Sequence, residues 1–428
     1  MFSSKTPIRS LVGVFVTWKI VLLLITIGTG EGSAYDTSTT LLSPEIASSN
    51  ESAFDVATKL TRWDSLYFIQ ASRRGYLFEQ EWAFGAGLPT VISFLSQVLS
   101  GSFGIESHGV LEPLIGICIS HISHLLSVLV LYKLGLVVCR NQLLSFIAAV
   151  LHIFSPAGIF LSAPYAESTF ALLSFTGYLF LAKGLLGLKR TFAHDVSLIA
   201  SGMWFGFAAT FRSNGLFNGI PFAIALAQEL TASPTLLSIR RRCALILGGL
   251  SIAVGFAAPQ LAAYQIFCSA PSGSELRPWC TSGLRSIYSF VQERYWNVGF
   301  LRYWTPSNIP LFLLAAPMIY LLIRSGLQLT RKPIIIATEK TDPVISSHSQ
   351  LLFRSMALTQ LILAILAVTS YHVQIITRIS SAYPLWYWWL AGLITNERTS
   401  TFGGKVVRFM VMYSAIQTPL FACFLPPA

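Results

Sequence analysis

Long apolar runs separated by short polar segments set the pattern of this chain. The first covers residues 11–28, and others fall near 111–132, 143–163, 168–188, 196–211, 215–228, 243–267, 308–323, 351–370, 381–394 and 407–425. A helix needs roughly 20 apolar residues to cross the hydrocarbon core of a bilayer. The pattern therefore predicts an all-α polytopic membrane protein, a single multi-helix bundle over residues 1–428 with about 11 spans. Several runs are short and interrupted by Pro or Gly, as expected where one or two are re-entrant.

Composition agrees. The 428 residues are 54% hydrophobic and only 11% charged, with a mean hydropathy of +0.63, whereas a soluble domain carries about 25% charged residues. The formal charge of +11 fits basic cytosolic loops better than nucleic-acid binding, because no basic stripe is interleaved with exposed aromatics. With the N-terminus cytosolic and every run crossing, 18 of the 29 Lys and Arg fall in cytosolic loops. The other side holds ten, among them Arg62, Arg212, Arg302 and Arg378, most of them beside aromatic or amide residues. Arginines outside the positive-inside pattern call for a ligand.

This orientation gives two large lumenal loops, residues 29–110 and 269–305. The first contains Asn50-Glu51-Ser52, a sequon usable only by a lumenal Asn. Residues 11–28 suit a cleaved signal peptide or a retained anchor equally, and both leave the following loop translocated. The six cysteines form no C-x-x-C pattern; only Cys268 and Cys280 bracket a lumenal segment and are candidates for a disulfide.

Four polar clusters interrupt the apolar pattern. Arg62-Trp63-Asp64 follows the first run, with Glu79 and Glu81 downstream; a carboxylate beside an Arg can deprotonate a sugar hydroxyl while a cation meets phosphate. An amphipathic surface helix with Asp64 in its first turn explains the same residues. Ser162-Ala163-Pro164-Tyr165-Ala166-Glu167 ends one helix and starts another, which places Glu167 where either capping or a site accounts for it. Arg212-Ser213-Asn214-Gly215 is a tight break in which the Arg exceeds what a turn requires. The densest cluster takes in Pro278-Trp279-Cys280 and then runs from Tyr288 through Gln292, Trp296, Asn297, Arg302 and Tyr303 to Trp304. An interfacial aromatic belt explains its rings but not its amides and arginines, which suit a sugar phosphate.

Metal and nucleotide chemistry find no support. His121, His124 and His152 lack a Cys, Asp or Glu at ligand spacing, and no DxD, P-loop or Gly-rich dinucleotide motif occurs.

Taken together, Arg62-Trp63-Asp64 with Tyr67-Phe68, Glu79-Gln80-Glu81-Trp82, Ser155-Pro156-Ala157 with Tyr165 and Glu167, Arg212-Ser213-Asn214-Gly215 and Gln292 to Trp304 resemble the PIG-V family. That family supplies the second mannosyltransferase of glycosylphosphatidylinositol (GPI) anchor assembly. The sequence departs from it at Gly85-Ala86-Gly87-Leu88-Pro89, where relatives carry a Phe-Pro-rich stretch. The resemblance implies a GT-C-type glycosyltransferase of the endoplasmic reticulum membrane with a lumenal active site. It implies transfer of mannose from dolichol-phosphate mannose, in an α-1,6 linkage, to the first mannose of the GPI precursor, without a cofactor. A fungal relative acts with a small membrane partner subunit, so such a partner belongs to the expectation.

A β-linked donor and an α-linked product require inversion, hence one base. Asp64 is the expected base, with Arg62, Arg212 or Arg302 neutralising the departing phosphate. Trp63, Glu81, Tyr165, Glu167, Asn214, Gln292, Trp296, Asn297 and Tyr303 complete the expected substrate-binding set. The rivals are a lipid or solute transporter, or a scramblase, and a non-catalytic membrane subunit. A transporter would spread its ionisable groups over membrane depth and show repeat-related halves.

Overall fold

Inside hydrocarbon each backbone N–H and C=O must find its partner within the chain, and a helix provides this locally. The computed structural model describes residues 6–30, 52–103, 109–187, 191–231, 233–269, 277–281, 286–332 and 343–426, and among these no strand occurs. Asn50 of the sequon lies outside the described residues.

In chain order the helices are α1 (Pro7–Gly28), α2 (Ser52–Leu60), α3 (Asp64–Arg74), α4 (Gly87–Phe103), α5 (Leu111–Val138), α6 (Gln142–Ile153), α7 (Glu167–Leu185) and α8 (Phe192–Phe211). They continue as α9 (Gly219–Leu230), α10 (Leu236–Cys268), α11 (Ile287–Arg294), α12 (Ile309–Arg331), α13 (Pro343–Thr369), α14 (Ile376–Ile379), α15 (Pro384–Thr395) and α16 (Ser400–Ala422). Six stretches, Pro7–Gly28, Leu111–Val138, Glu167–Leu185, Leu236–Cys268, Pro306–Arg331 and His348–Thr369, are long and apolar enough to cross a membrane.

That is five fewer than the 11 expected from the runs, and helix length accounts for three of the five. Three runs fold into helices of only 12 residues, α6, α9 and α15. At 1.5 Å per residue such a helix is about 18 Å long, short of the roughly 30 Å core. The run near 143–163 breaks because Pro156 and Pro164 have no N–H to continue a helix; a short 3₁₀ turn, Gly158–Leu161, follows α6. α15 is apolar on every side because it is enclosed, with Trp386, Tyr387 and Trp388 fully buried.

Small residues set a close helix crossing. α8 packs along α7 and α10; a Cβ on Gly202 would lie 2.2 Å from Gly248 Cα, and one on Gly255 only 2.0 Å from Gly206 O. In a bilayer, where lipid is as apolar as Leu, such close backbone approach provides helix association.

α1 belongs to the packed body. Leu11, Phe15, Trp18 and Leu22 form a core with Val128, Tyr132 and Phe146. Lys19 is buried, and its Nζ donates to Leu161 O at 2.9 Å and Ser162 Oγ at 2.7 Å. The histidines are structural in the same way: His152 meets Ser127 Oγ through Nε2 (2.8 Å) and Tyr387 OH through Nδ1 (3.1 Å).

Candidate active site

The segments that charge counting places on one side of the membrane meet around a cavity of about 540 Å³. Two of the four reach it through breaks in regular structure.

The first break lies before α3. Trp63 adopts φ 57 and ψ −130, a conformation that bulky side chains rarely take, and it turns the chain so that Asp64 opens the helix. The partial positive charge of a helix N-terminus favours an anion there. The Asp64 side chain is 31% exposed and lines the cavity beside Trp63, Tyr67 and Phe68. α3 is not a surface helix: Leu66, Phe68 and Ile69 sit in the main core. Tyr67 stacks on Phe84 at 4.6 Å, and Phe84 meets the edge of Trp296 at 5.3 Å, giving the cavity an aromatic wall. Burial raises the Tyr67 pKa above its ordinary value, and the charges of Asp64 and Glu81 add to this.

The glycines that depart from the family pattern bring this segment to α8. Gly85 has φ +83, and a Cβ there would meet Phe211 O at 2.5 Å. The carbonyl of Gly85 accepts from Tyr76 OH at 2.8 Å.

The second break ends α8. Arg212 is extended at φ −146, ψ 131, and a 3₁₀ turn, Ser213–Asn218, follows. Arg212, Ser213 and Asn214 line the cavity; Asn214 Nδ2 donates to Tyr383 OH at 3.3 Å. Arg212 Nη1 donates to Glu167 Oε1 at 2.7 Å. Glu167 is the first residue of α7, and its side chain is fully enclosed.

The third segment brings Tyr288 and Gln292 from α11, with Trp296 just beyond it. The fourth, residues 371–379, adds Tyr371, His372, Gln374 and Arg378. Burial lowers the His372 pKa, against the opposing pull of Asp64.

Arg378 joins these parts. Its Nη2 lies 2.9 Å from Asp64 Oδ2 and its Nε lies 2.9 Å from Glu167 Oε1. The guanidinium sits over the rings of Phe160 at 4.6 Å and Tyr165 at 5.0 Å. Burial alone would lower its pKa, but the charges of Glu167 and Asp64 outweigh burial and hold it above the ordinary value. Asp64, Arg378, Glu167 and Arg212 thus form one alternating chain of charge.

The expected site residues divide accordingly. Asp64, Trp63, Arg212, Asn214, Gln292 and Trp296 line the cavity. Glu167 and Tyr165 lie beneath it: Tyr165 is fully buried, and its hydroxyl donates to Arg62 O at 3.0 Å, fixing the peptide two residues before Asp64. The Arg62 guanidinium stacks over Phe424 at 5.2 Å.

Four other expected residues have local duties away from the cavity. Glu81 is buried, holding Arg74 at 2.6 Å and accepting from the N–H groups of Leu77 (2.9 Å) and Phe78 (3.1 Å), which is the geometry of a cap. Arg302 is 46% exposed and pairs with Glu293 at 2.8 Å, which satisfies its charge at the surface. Asn297 holds a turn at φ 51. Tyr303 donates to Gln374 Oε1 at 3.1 Å and packs on His372 at 4.7 Å, behind the cavity wall.

Glu79 fastens the two large loops together. It accepts from Trp279 Nε1 at 2.7 Å and from Tyr295 OH at 3.1 Å, and lies 3.4 Å from Arg277. Trp82, Trp279, Ile287 and Val291 form a small core beside it, and the Cys268–Cys280 disulfide closes the same region with Cα atoms 5.5 Å apart.

The site set read from sequence omitted Arg378, His372, Gln374 and Tyr288. Arg378 carried a signal, as an arginine on the side of the membrane where basic residues are fewer. Tyr288 stood at the start of the densest polar and aromatic cluster, whereas His372 and Gln374 were single polar residues without a motif. Among the described residues no group of three or more His, Cys, Asp or Glu is arranged to hold a metal.

Comparison with known proteins agrees with the sequence motifs. A "GPI mannosyltransferase 2" of Chaetomium globosum is 47% identical, over 99% of this chain and 96% of that protein. Its counterpart in Gibberella zeae is 44% identical over 99% and 98%. The "GPI alpha-1,6-mannosyltransferase 2" of Cricetulus griseus is 30% identical over 79% and 74%. Among solved structures, the archaeal oligosaccharyltransferase AglB of Archaeoglobus fulgidus superposes with a TM-score of 0.47 at 10% identity, over 96% of this chain. This chain spans 56% of AglB. The family description "Mannosyltransferase (PIG-V)" matches residues 8–428, and the chain belongs to that family.

Proposed function

We propose that this chain adds the second mannose to the GPI-anchor precursor, taking it from dolichol-phosphate mannose and forming an α-1,6 linkage. The observation that carries the reading is the meeting, in one cavity, of a partly exposed carboxylate, Asp64, with two arginines, Arg212 and Arg378. Relatives named for this reaction support it at 44–47% identity over 99% of the chain.

The reaction is a single displacement. Asp64 takes the proton from the acceptor hydroxyl as that oxygen bonds to the anomeric carbon. The bond from the same carbon to the phosphate oxygen breaks on the opposite face, and its electron pair leaves with dolichyl phosphate. A positioned general base contributes about 10²–10⁴-fold. The arginines stabilise the charge that grows on the phosphate, so the step requires no metal or other cofactor. The aromatic wall of Tyr67, Phe84 and Trp296 suits the apolar face of a sugar, and Asn214, Gln292 and Gln374 suit its hydroxyls. Both substrates are lipids; held by apolar helices at the lumenal face of the endoplasmic reticulum membrane, they meet in a fixed orientation.

Expression in cells lacking the second GPI mannosyltransferase tests the assignment. The wild-type chain should restore GPI-anchored proteins at the surface, and Asp64→Asn at equal abundance should not. Failure of the wild-type chain to restore them contradicts the assignment.

A further inference from the structure

The ion pairs assign Arg378 a task beyond binding. We propose that Arg378 couples the base to the leaving group, holding Asp64 before transfer and following the negative charge onto the departing phosphate, with Glu167 as its fixed anchor. The proposal rests on the reading of Asp64 as the base.

Three observations carry it. Arg378 touches Asp64 and the fully enclosed Glu167 at the same distance, 2.9 Å, through different nitrogens. It also lines the cavity in which the substrates would meet. These two contacts use two of the five N–H donors in a guanidinium's planar fork, and such a fork suits a phosphate. Finally, the clamp is closely packed: rings of Phe160 and Tyr165 lie against the guanidinium, and Glu167 also pairs with Arg212 at 2.7 Å.

The charge balance explains why a shared arginine is useful. Asp64, Glu167, Arg212 and Arg378 sum to zero, and the donor phosphodiester adds one negative charge. During transfer a proton passes from the acceptor hydroxyl to Asp64, and an electron pair passes from the anomeric carbon–oxygen bond to the phosphate. One negative charge therefore disappears at Asp64 and appears on the phosphate, with no change in the total. A cation tied to Asp64 alone would stabilise the reactants and slow the step, since only interactions stronger in the transition state accelerate it. Arg378 avoids this because Glu167, which does not titrate in the cycle, keeps it in place when Asp64 becomes neutral. Glu167 is in this sense a positioning residue for both arginines.

The test uses the full chain in membranes, with abundance matched across wild type, Asp64→Asn, Arg378→Lys and Arg378→Gln. Mannose transfer is measured against donor concentration, and inhibition is measured with dolichyl phosphate, the dianionic product. Arg378→Gln should lower kcat by about 10²-fold while moving donor KM by less than about threefold. It should weaken inhibition by dolichyl phosphate by about tenfold or more, the value of one charge-assisted hydrogen bond. Arg378→Lys should recover at least about tenfold of the kcat lost in Arg378→Gln, because it keeps the charge. A purely structural role would not weaken product binding while sparing donor KM. Equal changes in donor KM and product inhibition, or unchanged kcat in Arg378→Gln, overturn the proposal while an inactive Asp64→Asn leaves the base intact. Wild-type transfer by Asp64→Asn overturns the base reading itself, and this proposal with it.

Discussion

Glu167→Gln is the substitution whose effect follows most directly from the geometry. Oε1 of Glu167 accepts from Arg212 Nη1 at 2.7 Å and from Arg378 Nε at 2.9 Å, and the side chain has no exposure to solvent. Gln keeps the shape and one acceptor but removes the charge, leaving two largely buried guanidinium groups, 14% and 15% exposed, facing each other with only Asp64 to offset them. Breaking a buried ion pair by removing one partner costs about 3–5 kcal/mol. The retained acceptor and the Asp64–Arg378 contact place this case near the lower end, about 3 kcal/mol, or roughly a hundredfold in an equilibrium constant. The variant should melt at lower temperature in detergent and accumulate less in membranes. Its transfer rate per molecule should also fall, because both arginines lose their fixed positions. Melting and specific transfer rate both at wild-type levels would refute the claim that Glu167 holds the two arginines.

Three further outcomes follow. Glu79→Ala removes the acceptor shared by Trp279 Nε1 and Tyr295 OH; with one enclosed donor left unpaired it should lose about 1–3 kcal/mol, seen as faster proteolysis within residues 269–305 and lower transfer. Gly255→Val places side-chain atoms where even a Cβ lies 2.0 Å from Gly206 O, and should lose about 1–3 kcal/mol or more by overpacking α8 against α10, read as reduced abundance and melting temperature. His372 has a folded-state pKa below its ordinary 6.5, first because of burial. The unfolded chain therefore binds the proton more readily, and stability present above pH 6.5 is lost as pH falls below it; His372→Gln should flatten that acid-side loss in a melting series.

The helical membrane class was legible because apolar composition and run length leave few alternatives. Span number was not, since a run says where apolar residues lie and not whether they face lipid or protein. α15 shows the difference: its 12 residues read as a short span, yet Trp386, Tyr387 and Trp388 are enclosed by protein. Within the site, Asp64, Arg212, Gln292 and Trp296 were legible from the company of charge, amide and ring in interhelical breaks. Which carboxylate each arginine meets is a tertiary fact. Arg302 stands in the densest motif but is neutralised by Glu293 nearby, whereas Arg378 stands in no motif and reaches Asp64 across more than three hundred residues. Glu81 caps the turn that follows α3 instead of lining the cavity, and a capping carboxylate and a ligand carboxylate look alike in sequence.

Asp64 is the proposed recipient of the acceptor's proton. Asp64→Asn preserves size and removes the basic oxygen while the neighbouring Arg378 remains anchored by Glu167 at 2.9 Å. Microsomes containing equal amounts of the two proteins should be assayed for transfer of mannose from dolichol-phosphate mannose to the singly mannosylated GPI precursor. Transfer should fall about 10²–10⁴-fold in the variant, with abundance unchanged. Transfer by Asp64→Asn at the wild-type rate would contradict it.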